Sequence, residues 1–459
     1  MKLKEFDFKL PRDEVRKKKI MFTSISVIAL ILIVTIVSTF AYYQSIENQN
    51  PINTSVGEFS SGDLILAVTI DGEPSNTFPT KGSGYVANSV TCDKGATGTW
   101  DDYLWNIQIE FITHTQTKCS IDFVEDICLL SENSNKLRCK IMAQFGGVNN
   151  IATASTNTFA SVSSASDALM YKMEDDYGMS YYYRGAKDLL NNNLIFAEHQ
   201  WKIIRINGDG SIRIIYNGAC PNNNCAINSA GAVISSVAWN IANNNDAKYV
   251  GYMYGGSNGT ASTSRAQAVT NQTSSNAKTQ LESWYTVNIV NKGYASYVSD
   301  TLFCNDRRLR SEVGGAATGT GYGTSQTHYA TYYNLNQNKK PNLICGNKND
   351  KFTANDATNG NTALTHPIAL ITADEASLAG GMFGAKNDSY YLHVAQVFWT
   401  LSPQTSSSFA AVWSVHYSVS TSLYPYNVDE AYGLRPVINL NYNTKVSGDG
   451  SISNPFVVI

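Results

Sequence analysis

The sequence predicts an α+β protein with an N-terminal transmembrane helix, a small antiparallel β-sandwich-like module and a larger disulfide-stapled α+β domain. Three observations support this prediction. Residues 20–43 are apolar and uncharged, later segments alternate apolar and polar side chains, and all eight cysteines follow the apolar run. These features are typical of a membrane span, of strands with one buried face and of an exported, disulfide-bonded chain, respectively.

The N-terminal segment predicts a single-pass membrane protein. Residues 1–19 contain eight Lys or Arg and four Asp or Glu, and form a basic cytoplasmic tail before the 24-residue apolar run. A helix of that length reaches about 36 Å, enough to cross a hydrocarbon core of about 30 Å. Positive charge before the span predicts that the N-terminus is cytoplasmic and that the rest is extracellular. Cleavage after Ala41 stays open as an alternative, because Thr39 and Ala41 suit a signal-peptide cleavage site.

The residues after the span divide into a stalk and a first module. Residues 44–60 are polar and contain Pro51, which is typical of a stalk. From Leu64 onward strand-like segments begin, and the alternation of Trp105 and Ile107 with polar neighbours predicts a strand with one buried face. We therefore expect a β-sandwich-like domain over residues 61–127.

The remainder is predicted to be a connector and a large domain. Residues 128–170 are rich in Ala, Ser, Thr and Asn and are interpreted as a connector with little capacity to form a core. Residues 171–459 contain strand pairs around Gly-Asp-Gly turns, and helices are predicted over 276–285 and 372–381. Thr372 and Glu375 have the spacing of a capping box at the start of the second helix.

The cysteines favour structural disulfides. Eight cysteines allow 105 pairings, and pairing sequence neighbours is the economical choice. The predicted pairs are Cys92 with Cys119, Cys128 with Cys139, Cys220 with Cys225, and Cys304 with Cys345. A zinc site is disfavoured because no C-x-x-C motif occurs. A small redox or copper site at the close pair Cys220 and Cys225 stays open as an alternative.

Several strings in the large domain carry a resemblance to a known group of proteins. They include WKIIRINGDGSIRIIYNG (201–218), HPIALITADEASLAGG (366–381) and YGLRPVINL (432–440). Together they resemble a domain of unknown function in single-pass cell-surface proteins of low-GC Gram-positive bacteria of the gut Firmicutes type. The string VTCDKGATGTW (90–100) resembles a small β-domain that often precedes it.

This resemblance covers about residues 170–459 and implies a fold more than an activity. The domain is distantly similar to the formylglycine-generating-enzyme and C-type-lectin-like fold, which implies a compact α+β unit with irregular loops. Formylglycine-generating enzymes hold copper with two cysteines five residues apart, the spacing of Cys220 and Cys225. These two follow an early hairpin and their surroundings do not match the enzymes, so the resemblance does not transfer the activity.

Aromatic residues near the C-terminus are the candidate ligand-binding residues. Exposed aromatic side chains stack on sugar rings and anchor protein partners. The candidates are Trp413, Tyr417, Tyr424 and Tyr426. The alternative for Trp413 is a core position beside a strand, whereas the three tyrosines lie in a Ser/Thr-rich, loop-like run.

The sequence contains no clear metal-binding or catalytic motif. Oxygen-bearing side chains at Asn207, Asp209 and Ser211, and the cluster at 347–350, are calcium candidates, but a hairpin turn and a solvated loop are favoured. We therefore expect no cofactor, with calcium as an open alternative. Neither G-x-S-x-G nor H-E-x-x-H occurs, so no catalytic residue is predicted.

The composition excludes two broad classes of protein and leaves a binding function as the leading expectation. Charged residues make up 15% of the 459 residues and the net charge is −3, unlike a basic nucleic-acid-binding domain or a highly charged disordered chain. We expect extracellular binding or adhesion to a glycan, a wall polymer or a protein. The alternatives are an exported enzyme of the formylglycine-generating or oxidoreductase type and a purely structural envelope protein.

Overall fold

The computed structural model divides the chain into two units, residues 1–131 and residues 132–459. The described residues are 53–54 and 64–459, except for 82–84, 102–104, 111, 113, 127, 129–130, 156, 241–244, 407–408 and 418–419. The predicted tail and transmembrane helix, and all of the predicted stalk except 53–54, lie outside them. Within the described part of the chain, no helix is long and apolar enough to cross a membrane.

The first unit consists of two small sheets that share one apolar core. Its strands are β1 Asn53–Thr54, β2 Leu64–Ile70, β3 Glu73–Ser75, β4 Tyr85–Cys92, β5 Thr97–Asp101, β6 Asn106–Glu110 and β7 Thr117–Glu125. The sheets have the orders β3-β2-β7-β4 and β1-β6-β5. Val68, Ile107 and Ile121 from both sheets are fully buried in the core. The prediction of purely antiparallel pairing is wrong, because β2 pairs with β7, and β1 with β6, in parallel.

The second unit is mostly sheet. Its strands are β8 Ala168–Asp175, β9 Gly178–Gly185, β10 Asn193–Phe196, β11 His199–Ile206, β12 Ile212–Ala219, β13 Ser235–Ala238, β14 Met253–Tyr254, β15 Thr273–Ser274, β16 Val298–Ser299, β17 Phe303–Cys304, β18 Thr327–His328, β19 Lys351–Phe352, β20 Phe398–Ser406, β21 Ala410–Val415, β22 Leu423–Asn427, β23 Ala431–Leu434, β24 Val437–Leu440, β25 Val446–Ser447 and β26 Phe456–Val458. A nine-stranded sheet contains the path β16-β24-β12-β11-β10-β26-β25; β9 also pairs with β11, and β8 pairs with β9. A six-stranded sheet contains the path β13-β23-β20-β21-β22, with β18 beside β20.

Helices are few and short in this unit. The α-helices are α1 Leu137–Gln144, α2 Arg265–Ala268, α3 Asn276–Tyr285, α4 Ala330–Tyr332 and α5 Ala373–Ala379. Turns of π-helix continue α3 and α4 over Thr286–Val290 and Tyr333–Gln337. The 3-10 turns are Ser131–Asn133, Val148–Asn150, Thr158–Ala160, Pro221–Asn223, Ala247–Val250, Ala295–Tyr297, Arg310–Val313 and Lys348–Asp350. The coarse prediction of an α+β chain rich in sheet is therefore confirmed.

The predicted hairpin and helix cap are present. Strands β11 and β12 pair in antiparallel register around a turn in which Gly210 has a φ of +82°, a conformation that glycine adopts without strain. At α5 the Thr372 side chain accepts a hydrogen bond from the backbone N–H of Glu375, whose carboxylate accepts one from the N–H of Thr372. This reciprocal pair satisfies two N–H groups that a helix start leaves free.

The segment predicted to be a connector forms part of the second unit. From residue 132 onward the chain belongs to that unit, and helix α1 places Leu137, Ile141 and Met142 in its main core. The segment 128–170 is rich in Ala, Ser and Asn, so its composition did not predict this short helix. The helix has few apolar residues, but these residues are buried in the core. The boundary between the units therefore lies near residue 131, and residues 132–170 do not link two domains.

The disulfide prediction is confirmed. Cys92 pairs with Cys119, Cys220 with Cys225 and Cys304 with Cys345. Cys128 and Cys139 are also disulfide-bonded, and no cysteine is free among the described residues. Cys92 and Cys119 face each other in the register of β4 and β7, so this bridge joins two strands that already pair.

Candidate functional site

The edge of the six-stranded sheet presents two of the predicted tyrosines. Strand β22 pairs antiparallel with β21, with Ser414 opposite Tyr424 and Val412 opposite Tyr426. Strand β21 is buried along its whole length, whereas Tyr424 is 44% exposed. Tyr424 and Tyr426 are two residues apart, so their side chains lie on the same face of the strand. The sheet therefore holds both rings on one outward face.

Five rings form a continuous cluster on this face, which we call the aromatic patch. Its members are His416, Tyr417, Tyr424, Tyr426 and Tyr432. His416 stacks on Tyr417 with ring centroids 5.5 Å apart, and Tyr424 meets Tyr426 edge to face at 5.2 Å. The ring of Tyr426 also lies 5.7 Å from His416 and 4.2 Å from Tyr432. Each ring thus contacts at least one other ring, and these contacts restrict the movement of the side chains in the patch.

Hydrogen bonds fix the orientation of the inner rings of the patch. The Tyr426 hydroxyl lies 2.7 Å from Nε2 of His416, and the Tyr432 hydroxyl donates to the Glu430 carboxylate at 2.6 Å. Burial lowers the pKa of His416 below its usual value, so its imidazole is neutral at pH 7. Burial, the hydrogen bond to Glu430 and the charge of that carboxylate raise the pKa of Tyr432. The patch therefore offers neutral aromatic faces with one carboxylate beside them.

The structure separates the predicted binding residues into two groups. Tyr417 and Tyr424 are about half exposed, at 50% and 44%, whereas Tyr426 is half-buried. Trp413 is fully buried and packs edge to face on Phe383 at 5.5 Å. Its place in the interior of β21 makes it a core residue, so the alternative interpretation of Trp413 is the right one.

Sequence reasoning missed two members of the patch. His416 directly precedes Tyr417 in the chain but was not among the candidate ligand-binding residues. Tyr432 lies on β23, which pairs with β13 and β20 and not with β22. Its proximity to Tyr426 therefore depends on sheet order, which no local pattern in the sequence reveals.

Two of the calcium candidates, Asp209 and Asp350, bond to other protein groups through their carboxylate oxygens. Asp209 accepts hydrogen bonds from Ser211 and from the Thr301 hydroxyl within the hairpin turn. Asp350 is buried and forms an ion pair with Arg307 at 2.5 Å. Within the described residues no group of three or more His, Cys, Asp or Glu side chains could hold a metal ion. The Cys220 and Cys225 sulfurs form a disulfide, so they are not a free thiol pair.

A second chemically rich cluster is a buried ion network in the core of the second unit. Arg205 of β11 and Arg213 of β12 donate to the same oxygen of Glu375, at 2.9 Å and 2.7 Å, and Arg205 also pairs with Asp175. All four side chains are almost completely buried. The network joins the start of α5 to the central hairpin. The adjoining cavity of about 30 Å³ is of a size that holds ordered water.

Asp374, which also lines that small cavity, makes stability depend on pH. Burial raises its pKa to about 7, although the N–H of Asn342 donates to it at 2.9 Å. The folded state therefore keeps a proton that the unfolded state loses near pH 4. We expect the free energy of unfolding to fall by about 1 kcal/mol per pH unit between pH 4 and pH 7 through this group, and to lose this dependence above pH 7.

Asp374→Asn is expected to remove that slope, because an amide resembles the protonated acid and does not titrate. Urea denaturation of the wild type and of Asp374→Asn at pH 4, 5.5, 7 and 8 measures the difference. Parallel stability curves for the two proteins would show that Asp374 does not carry a proton in the folded state.

No protein-family model, no curated protein and no solved structure matches the chain.

Proposed function

We propose that the protein is a single-pass bacterial surface protein whose extracellular part binds a glycan through the aromatic patch. The observation that carries the proposal is the set of stacked rings at a sheet edge, with Tyr417 and Tyr424 about half exposed. Exposed rings of this kind are costly to leave in water and mark binding surfaces.

The chemistry of the patch favours a carbohydrate. Tyrosine rings present flat apolar faces that match the C–H faces of pyranose rings, and their hydroxyls can bond to sugar hydroxyls. Glu430 provides a carboxylate acceptor beside the patch. Because the inner rings are held by hydrogen bonds and stacking, little conformational entropy is lost on binding, which favours affinity.

The remaining elements of the proposal concern location and fold. The apolar run 20–43 would anchor the chain, with its N-terminus in the cytoplasm. The disulfides support export, because such bonds persist in oxidising compartments. A sandwich-like first module and a C-type-lectin-like second unit are proposed on the same basis as the resemblance described above. The proposed glycan ligand can also be a polymer of the bacterial cell wall.

Removing the two exposed rings tests this function. We expect the full chain to bind at least one glycan on an array of bacterial wall polymers and mucin-type glycans. The double variant Tyr417→Ala with Tyr424→Ala is expected to bind it tenfold more weakly or worse, a loss of about 1.4 kcal/mol or more. Equal thermal stability of both proteins would show that the loss is local to the patch.

A matched control comes from a tyrosine outside the patch. Tyr442 is 51% exposed, so Tyr442→Ala removes a ring of similar exposure and should leave glycan binding unchanged. If no glycan binds, or if the double variant binds as the wild type does, the proposal fails. Binding of a protein partner that depends on the same two rings would replace the glycan as the ligand.

A further inference from the structure

A separate cavity of about 210 Å³ lies in the second unit, beside the loop that follows the Cys220–Cys225 disulfide. It shares no residue with the aromatic patch. Its lining includes Lys187, Lys202, Asn217, Asn228, Tyr391 and His393. Pockets for drug-sized molecules measure about 300–1,000 Å³, so this cavity suits a smaller ligand.

Lys202 places a buried ammonium group at this cavity. The residue lies on β11 and is 6% exposed. Its Nζ donates to the side-chain oxygen of Asn193 at 2.6 Å. An ammonium group has three donors, so this bond leaves two for other acceptors. Among the described residues no carboxylate lies within ion-pair distance of Lys202.

A second buried cation stands behind the cavity. Arg435 is fully buried, and its guanidinium donates to the carbonyl oxygens of Tyr216 and Leu392 and to the side-chain oxygen of Asn217. All three acceptors are neutral, and Asn217 itself lines the cavity. Burying a cation without a carboxylate is costly. Two such cations in one region therefore create a positive potential that an anion in the cavity would relieve.

We propose that this cavity binds a small monocarboxylate, with the carboxylate against the Lys202 ammonium group. Lys187 and Asp188 at the rim carry opposite charges, so the lining has one uncompensated positive charge when His393 is neutral. A monoanion balances the charge of the lining, whereas a dianion would exceed it; Arg435 is not among the lining residues, and its guanidinium already donates to neutral acceptors. The two remaining N–H groups of Lys202 can donate to a carboxylate oxygen, and such a charge-assisted hydrogen bond is stronger than a neutral one.

The protonation states around the cavity agree with an anion site at neutral pH. Burial and the charge of Arg435 lower the pKa of Lys202 to about 8, against the opposing effect of Asp188. The ammonium form therefore predominates at pH 7 and is lost above pH 8. Burial and the charge of Lys187 lower the pKa of His393 below its usual value, against the opposing effect of Asp388, whose carboxylate lies 3.7 Å from Nδ1 of His393. Lys386 and Asp388, which also act on His393, form an ion pair with each other.

Saturation-transfer NMR with acetate and glucuronate, on the full chain at pH 7, tests the proposal. We expect saturable binding of a carboxylate and none of acetamide, which has the shape of acetate without its charge. Lys202→Met should weaken carboxylate binding tenfold or more. Lys445→Met, at an exposed lysine outside the cavity, should leave it unchanged. In the wild type, binding should weaken by up to tenfold per pH unit above about pH 8.

Several results would overturn the proposal. These are the absence of saturable carboxylate binding, equal binding by Lys202→Met, and tighter binding of inorganic phosphate than of either carboxylate. If Lys202→Met does not fold, the pH series on the wild type decides, because binding that is constant from pH 7 to pH 10 would exclude the Lys202 ammonium group.

Discussion

Replacing Glu375 with glutamine is expected to destabilise the second unit by about 3–5 kcal/mol, the cost of removing one partner from a buried ion pair. Glu375 receives hydrogen bonds from Arg205 and Arg213 in a site that is 1–5% exposed. Burial alone would raise its pKa, but the charges of Arg213 and Arg205 lower it to about 2. Glutamine keeps the shape and loses the charge, so Arg213 is left without a carboxylate partner among the described residues.

Glu312 provides a matched control for this prediction. It also sits at the third position of a short helical turn, accepts a hydrogen bond from a backbone N–H and pairs with an arginine, Arg265, at 2.5 Å. The two sites differ in burial, because the side chains of the Arg265–Glu312 pair are 30% and 38% exposed. Glu312→Gln should therefore cost less than about 1 kcal/mol. Urea denaturation at pH 7 gives both values, and similar losses in the two variants would contradict the role assigned to the buried network.

The same network determines a response to acid. Because the folded-state pKa of Glu375 lies below its unfolded value, its stabilising contribution is present above about pH 4.5 and is lost as the pH falls toward 2. The preceding residue, Asp374, changes the free energy of unfolding with pH in the opposite direction. Its pKa is raised, so its stabilising contribution is lost as the pH rises toward 7. Between about pH 4 and pH 7 these two adjacent carboxyls are thus in different protonation states, because within the described part of the chain Glu375 pairs with two arginines and Asp374 forms no ion pair.

Features that depend on near neighbours in the sequence were predictable. The hairpin around Gly210 and the cap formed by Thr372 and Glu375 are set by residues within a few positions of each other. The disulfides followed from pairing neighbouring cysteines, and the short loop from Cys220 to Cys225 is the clearest instance. For the hairpin, the cap and the Cys220–Cys225 bridge the physical constraint is local, so the residue pattern is sufficient to predict it. The Cys92–Cys119 and Cys304–Cys345 bridges join residues 27 and 41 positions apart, and they were predicted only as the economical choice.

Features that depend on distant contacts were not predictable. Arg205 and Glu375 are 170 residues apart, and the charge pattern of the sequence gives no sign that they meet. The parallel pairing of β2 and β7 joins strands that four other strands separate in the chain, and the alternation of residues cannot reveal such a pairing. The aromatic patch shares this limitation, since Tyr432 reaches Tyr426 through the order of strands in the sheet.

Burial also distinguishes an aromatic residue that can contact a ligand, Tyr424, from one that stabilises the core, Trp413. Trp413 and Tyr424 are both aromatic and lie on neighbouring strands, with Tyr424 opposite Ser414, the residue after Trp413. Adjacent positions of a strand point to opposite faces, and the described structure gives Trp413 no exposure and Tyr424 44%. Both were included in one candidate surface because they are aromatic residues that lie close together in the sequence.

Trp413→Ala is therefore expected to destabilise the second unit by about 3–5 kcal/mol, the cost of deleting a large buried aromatic side chain and leaving a cavity. The indole packs against Phe383 and belongs to the main core of the unit. Tyr424→Ala should cost under about 1 kcal/mol, because the ring is already half in water. Thermal or urea unfolding of the two single variants measures both values.

Trp413→Phe separates the loss of packing from the loss of the indole N–H. The Trp413 Nε1 atom is buried and has no hydrogen-bond partner within the described part of the chain, so phenylalanine breaks no hydrogen bond there and keeps most of the apolar contact. We expect Trp413→Phe to lose less than half of the stability that Trp413→Ala loses. If Trp413→Ala instead folds with wild-type stability and loses glycan binding, Trp413 belongs to the ligand surface, and the division between the patch and its supporting core is wrong.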